Sequence, residues 1–295
     1  MTLPYIVDAH HHLWNLDAVD YPWLNERGVR RFFGDPTPIQ KDYGVAEFRA
    51  DHGLIEVRKS VHIQVGTAAG AEIDETCWLE AQATAHGLPS AMVAFCDLSL
   101  PTASEVISEH GRQSRRLRGI RQIFSRHPSE DDSSGSPGLL MDPVVAENLG
   151  LLSSLGLSFD LQLTPPHMIS AARLFGKLDG LQVALCHVGS PWRRDAEGLA
   201  EWRQGLQALA EIPTVACKLS GLGMFDPAWT PADLKPVILT VLEIFGPDRV
   251  MWGSNFPVDK LYRSYDKLLS AMLSIVPAPM HDQVFRATAE KFYRI

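Results

Sequence analysis

Three histidines, His10, His11 and His12, stand in a row in VDAHHHLW (7–14), at the end of an apolar run. If that run is a strand, side chains two residues apart share a face, so His10 and His12 look one way and His11 the other. Two imidazoles at that spacing can chelate one metal ion, or share an anionic or carbonyl oxygen. Further imidazoles stand at His187, ending LQVALCH (181–187), and at His62 inside KSVHIQV (59–65). Arg121 in LRGIRQI carries a guanidinium fork that matches a substrate carboxylate, or else a salt-bridge partner on a helix. Lys218 in TVACKLS places a charge in an apolar run, where it needs a partner or a ligand. Asn255 in GSNFP can orient a water or donate to a developing oxyanion, but cannot take a proton as a carboxylate does. Either the base comes from elsewhere, with His187, His62, Asp160 and Asp259 as candidates, or the reaction needs no water activation by this residue; Asp259 is better suited to tying down its loop. Gln64, Gln122 and Gln162 can bond sugar hydroxyls or close the strand ends. Trp14, Trp23 and Trp192 can wall a ring-shaped ligand, or simply pack.

These residues need elements that bring them together. Eight β-like runs recur, at 5–10, 59–65, 90–98, 117–123, 157–163, 181–187, 214–220 and 249–254. Amphipathic stretches lie between them, at 74–87, 144–156, 169–180, 200–212 and 231–246, several ending in Gly, a common helix stop. Such alternation implies parallel strands joined by crossover helices. Eight repeats in 295 residues predict one domain, 1–295, folded as an α/β (β/α)8 TIM barrel. A doubly wound open sheet would also alternate, but its GxGxxG after strand one is absent; HHHLWNL stands there. In a barrel the C-terminal strand ends carry the site, and the polar side chains cluster there: His10, His12, His62, Gln64, Asp97, Arg121, Gln122, Asp160, Gln162, His187, Lys218, Ser220, Ser254 and Asn255. Residues 15–58 form an enlarged first connection. HPSEDDSSGSPG (127–138) is a long loop after strand four, suited to a lid.

Bulk composition narrows the function. The chain carries 27 basic and 35 acidic residues, a formal charge of −8, which argues against nucleic acid or an acidic membrane as partner. There is no run of eighteen apolar residues and no signal-peptide pattern at the N-terminus, so a cytoplasmic location is expected. Cys77, Cys96, Cys186 and Cys217 are widely spaced without CxxC, which predicts buried free thiols. The partner is a small molecule; a homo-oligomer is left open.

The stretches DAHHHLWNLDAVDYPWL, LCHVGSP, CKLSGL and RVMWGSNFPVDKL, with VFRATAEKFYRI at the C-terminus, resemble the amidohydrolase superfamily. The closest branch is that of sugar lactonases and 2-pyrone-4,6-dicarboxylate lactonases, and the resemblance runs from residue 5 to 295. It implies a (β/α)8 barrel and activities that include lactone hydrolysis, lactone isomerisation and, in a related branch, metal-dependent decarboxylation. It also implies that the strand-one HxH is His10 and His12 and that the strand-six histidine is His187. The strand-eight position, normally Asp, falls on Asn255. Two-metal members use a carboxylated lysine on strand four, where this chain has Arg121, so a two-metal site is not expected. The cofactor is none, or one Zn2+ on His10, His12 and His187, with the anionic strand-eight ligand missing.

The expected activity is hydrolysis of a lactone of a sugar acid or of a carboxylated ring-cleavage product. His10, His12, His187 and Asn255 would be catalytic, with Arg121, Gln162, Lys218, His62 and Trp14 holding substrate. A lactone isomerase would use the same site with a substrate hydroxyl as nucleophile. A decarboxylase would need a metal there, and a non-catalytic barrel would bind its ligand without turning it over.

Overall fold

The computed structural model describes residues 4–129 and 137–295. Eight strands alternate with helices: β1 (Ile6–His11), β2 (Val57–Ile63), β3 (Ala91–Ala94), β4 (Leu117–Ile123), β5 (Ser158–Gln162), β6 (Val183–Leu185), β7 (Val215–Leu219) and β8 (Val250–Trp252). Each pairs in parallel with the next in chain order. The ring closes at the C-terminal mouth, where Asn255 N donates to His10 O and His12 N donates to Phe256 O, both at 2.7 Å. The (β/α)8 barrel expected from the strand–helix alternation is therefore the fold.

Ten α-helices lie among the described residues: α1 (Pro22–Asn25), α2 (Val45–His52), α3 (Glu72–His86), α4 (Ala103–Gln113), α5 (Pro143–Ser154), α6 (Met168–Phe175), α7 (Ala196–Ala210), α8 (Pro231–Phe245), α9 (Tyr265–Ile275) and α10 (Thr288–Tyr293). Local chemistry sets several ends. Asp142 caps α5 by accepting from Val144 N at 2.8 Å, with Pro143 in the first turn. Asp233 reaches back to Thr230 N at 2.8 Å at the start of α8. Of the predicted loop 127–138, residues 130–136 lie outside the described residues, and Pro137–Met141 form a 3-10 turn. Cys96, Cys186 and Cys217 are buried free thiols as expected, whereas Cys77 on α3 is exposed. Its helix position faces solvent, which an apolar sequence neighbourhood alone does not reveal. Among the described residues no helix is long and apolar enough to cross a membrane.

One irregularity decides which histidines look inward. Asp8 pairs with Ser60 and His11 with His62, so three steps along β1 match two along β2. The extra residue is a β-bulge, and it exchanges the faces beyond it. Val7 and Ala9 pack inside the barrel with Val61, Ile63, Ala91 and Val93. After the bulge, His10 and His12 also turn inward, while His11 stacks outward on Phe48 of α2, with ring centroids 4.3 Å apart.

The apolar barrel floor holds one buried ion pair. Lys218 Nζ donates to Asp160 Oδ2 at 2.5 Å and to Ala9 O at 2.9 Å. Tyr293 of α10 donates its hydroxyl to the same carboxylate at 2.9 Å. A charge pair hydrogen-bonded this thoroughly can be kept in a dry interior.

Candidate active site

A cavity of about 470 Å3 opens at the C-terminal mouth of the barrel. Its inner end is formed by His12, Arg121, Gln162, His187 and Asn255, with Gln64 beside them. Trp14, Trp23, Phe32 and Phe33 supply an aromatic side wall. This is the placement expected for a barrel enzyme's site.

Two imidazoles, His12 and His187, line the inner end; the predicted His10 is absent from the lining and is buried behind them. The His10 ring centroid lies 4.6 Å from that of His187 and 5.2 Å from that of His12. Room for them is made by glycine. A Cβ on Gly221, whose φ is +63°, would stand 2.4 Å from His187 Nδ1, and one on Gly253 would stand 2.5 Å from His10 Cβ. His187 follows β6 with φ 53° and Asn255 follows β8 with φ 57°, left-handed backbone uncommon for residues other than glycine. Ser220 Oγ lies 3.0 Å from His187 Nδ1 and orients that ring.

Burial keeps these rings neutral. It pushes His10 and His187 well below the ordinary histidine value, helped by the positive charges of Lys218 and Arg121. It brings His12 down to about 3, with Arg121 adding to the effect. His12 Nδ1 lies 2.7 Å from Ile63 O; a carbonyl only accepts, so Nδ1 carries the proton and Nε2 keeps a lone pair. That lone pair faces Asn255 Oδ1 at 3.3 Å. Two acceptors so placed call for a proton or a cation between them, or for the amide turned so that its NH2 donates to His12. Behind Asn255, at 3.4 Å, stands Asp259, which burial pushes up to about 8 despite the hydrogen bond from Asn255. A neutral carboxylic acid there can donate to a turned Asn255.

Arg121 is the buried positive charge at the inner end of the cavity. It is 6 % exposed, and its NH groups reach Gln64 O at 3.2 Å and Gln162 Oε1. Its Nε is buried without a partner, and no carboxylate among the described residues pairs with it. Among the described lining residues Glu26 is the one carboxylate, and it is bridged to Arg31 at 3.0 Å.

Not every candidate reaches the cavity. Lys218 is in the floor, its amine committed to Asp160 and Ala9, because its strand position lies one layer too deep. His62 faces the helix layer: its Nδ1 accepts from Leu13 N at 3.1 Å, and its Nε2 lies 3.8 Å from Glu75. Gln122 also points away, donating to Asp97 at 2.9 Å. Trp192 is absent from the lining and packs edge-on against His127, with centroids 5.0 Å apart. Conversely, Glu26, Arg31, Phe32 and Phe33 enter the cavity from the enlarged first connection, unanticipated by residue type. The run RRFF (30–33) in a mostly polar segment is the signal that could have found them.

The inner end fits one Zn2+ by donor chemistry. It offers neutral imidazoles, His10 has both ring nitrogens buried without partners, and a cation would resolve the His12–Asn255 contact. It does so without preset geometry: among the described residues, no group of three or more His, Cys, Asp or Glu side chains is arranged to hold a metal ion. A two-metal centre does not fit, since β4 presents Arg121 instead of a lysine.

A parallel barrel with histidines converging at its mouth defines a class of enzymes, and the chain's place in that class follows from comparison. The Amidohydrolase family model matches residues 7–295, and the chain belongs to that family. It is 35% identical to the uncharacterized protein y4mH of Sinorhizobium fredii, over 98% of each chain. It is 29% identical to an L-fucono-1,5-lactonase of Burkholderia multivorans, over 90% of this chain and 86% of that one. A crystal structure of a Burkholderia multivorans amidohydrolase with bound Zn superposes with a TM-score of 0.82, at 26% identity and over 99% of both chains.

Proposed function

We propose that this protein hydrolyses a lactone of a sugar acid or of a carboxylated ring-cleavage product. The observation that carries it is Arg121, a buried cation with no described carboxylate in ion-pair contact, lining one small cavity with His12 and Asn255. The likeness to an L-fucono-1,5-lactonase supports the same class of substrate.

In this reading the lactone carbonyl oxygen lies toward Arg121, whose donors meet the negative charge that grows as the tetrahedral centre forms. The attacking water sits on the cavity side of the 3.3 Å His12–Asn255 contact, within reach of both side chains. His12, pinned as an Nδ1–H donor to Ile63, takes the water's proton on Nε2 and returns it to the ring oxygen as the lactone C–O bond of the tetrahedral centre breaks. It is a weak base, and that suffices because a lactone is an activated ester for which positioning and oxyanion stabilisation supply much of the rate. Gln64 and Gln162 bond ring hydroxyls, and Trp14 covers one ring face. Should the enzyme use a metal, His10, His12 and His187 would hold one Zn2+, which would supply Lewis-acid polarisation of the carbonyl. Zinc analysis of the purified protein, with activity measured after chelation, separates this case from the metal-free one: full turnover in metal-free protein excludes the requirement.

The deciding experiment is proton release on a panel of 1,4- and 1,5-sugar lactones and unsaturated carboxylated lactones. Hydrolysis acidifies an indicator solution. A change of ring size without acidification would establish isomerisation instead, the reading favoured by a neutral amide at position 255. Asn255→Asp separates the two further. A carboxylate beside His12 raises hydrolysis, with a rate that climbs toward alkaline pH because the new carboxyl and Asp259 share a proton. An isomerase gains nothing from it.

A further inference from the structure

Aromatic rings run without a break from the end of β1 to the rim of the cavity. Trp14 meets Trp23 at 6.1 Å, Trp23 meets Phe33 at 6.2 Å, and Phe33 meets Phe32 at 5.4 Å between centroids. Phe32 and Phe33 occupy the tip of a tight turn. Arg31 N donates to Gly34 O at 2.8 Å, and Gly34 N donates back to Arg31 O at 2.9 Å. The tip is pinned across the mouth by the Tyr262 hydroxyl, which donates to Phe33 O.

Phe32 is then held from the other side. Its ring stacks on His127 at 5.6 Å with planes 3° apart, and on Phe225 at 5.7 Å with planes 27° apart. His127 leans in turn on Trp192. These rings come from the connections after β1, β4, β6 and β7; Phe33, His127 and Phe225 touch the phenyl group, and Trp192 supports it through His127. Each aromatic pair is worth about 0.5–1.5 kcal/mol beyond its buried area, so swinging Phe32 aside breaks several contacts at once. The ring lines the cavity and is part-buried, backed by His127 and Phe225. The cavity volume, about 470 Å3, lies toward the lower end of the ~300–1,000 Å3 common for ligand sites.

We infer that Phe32 is the specificity-determining end wall of this site, restricting it to single-ring lactones and excluding those that carry a second sugar ring. The inference rests on the lactone reading and deepens it.

The test compares kcat/KM for D-glucono-1,5-lactone with that for its 4-O-glycosylated homologue, in wild type, Phe32→Ala, Phe32→Tyr and Phe225→Ala. Wild type favours the single ring. Phe32→Ala shifts the ratio toward the extended lactone by about tenfold or more, the scale on which pocket walls discriminate size. Phe225→Ala, which removes a support and leaves the wall, shifts it less, and Phe32→Tyr keeps the wild-type ratio. If Phe32→Ala does not fold, the Phe225→Ala shift decides. Calorimetric binding of gluconate and of lactobionate, the open-chain acids, gives a second readout without turnover. Single-ring turnover with an unchanged ratio overturns the end wall and leaves the lactone reading standing. If no lactone is turned over, the lactone reading fails and acid binding alone decides the wall. If neither acid binds either, both fall.

Discussion

Arg121 gathers most of the chemical meaning of the site into one side chain. Its charge is buried, its plane is fixed by Gln64 O and Gln162, and it has no described carboxylate to neutralise it. Arg121→Gln is therefore expected to lower kcat/KM by about 10²–10³-fold, as when a donor to a developing oxyanion is removed. Arg121→Lys should restore little of this, because a point charge lacks the fork. Steady-state kinetics beside a melting curve check both: a loss of activity matched by a collapse of Tm would mark Arg121 as structural. At this scale the sequence is legible where a side chain's type leaves few options. His12, His187, Asn255, Arg121, Gln162 and Trp14 all reach the cavity. Lys218 and His62 are not legible, because a polar group in a strand can be satisfied by a ligand or by a buried partner. Only the depth of its layer and the facing of its strand separate the two.

Among the elements, β1 shows most clearly what sequence periodicity cannot supply. Eight strands and the long helices follow from alternating apolar runs and Gly stops. The bulge between Asp8 and His11 has no such signature. Continuing the inward series Val7, Ala9 by twos would place His11, not His10 and His12, in the lumen. Three identical residues in a row conceal which is which. The floor illustrates a related limit, since Lys218 of β7, Asp160 of β5 and Tyr293 of α10 meet only after the ring has closed. Lys218→Met leaves Asp160 buried without its cation and is expected to cost about 3–5 kcal/mol. Replacing both partners, Lys218→Met with Asp160→Leu, recovers part of that loss. Urea unfolding of the single and double variants measures it, and a single variant as stable as wild type would show the pair to be dispensable.

On the scale of the whole molecule, a formal charge of −8 coexists with a cavity whose lining includes Arg31, Arg121 and Arg126. The net negative charge is therefore no guide to what the interior accepts. Buried acids also tie global stability to pH. Asp259, held near 8 when folded against an ordinary value of 3.8, keeps a proton in the native chain that the unfolded chain has already lost. Its contribution is complete below about pH 4 and disappears as pH rises through 8. Asp259→Asn, which cannot ionise, should consequently gain on wild type between pH 6 and pH 9, by about 2–4 °C in Tm for each kcal/mol recovered. Parallel melting curves at the two pH values would refute this if the difference stayed constant. The join between β1 and β8 has a consequence of another kind. The amide hydrogens of His12 and Asn255 that stitch it belong to residues that line the cavity. Their deuterium uptake should slow when a product acid occupies the cavity, so that two peptides far apart in the chain report occupancy together, with no label and no turnover.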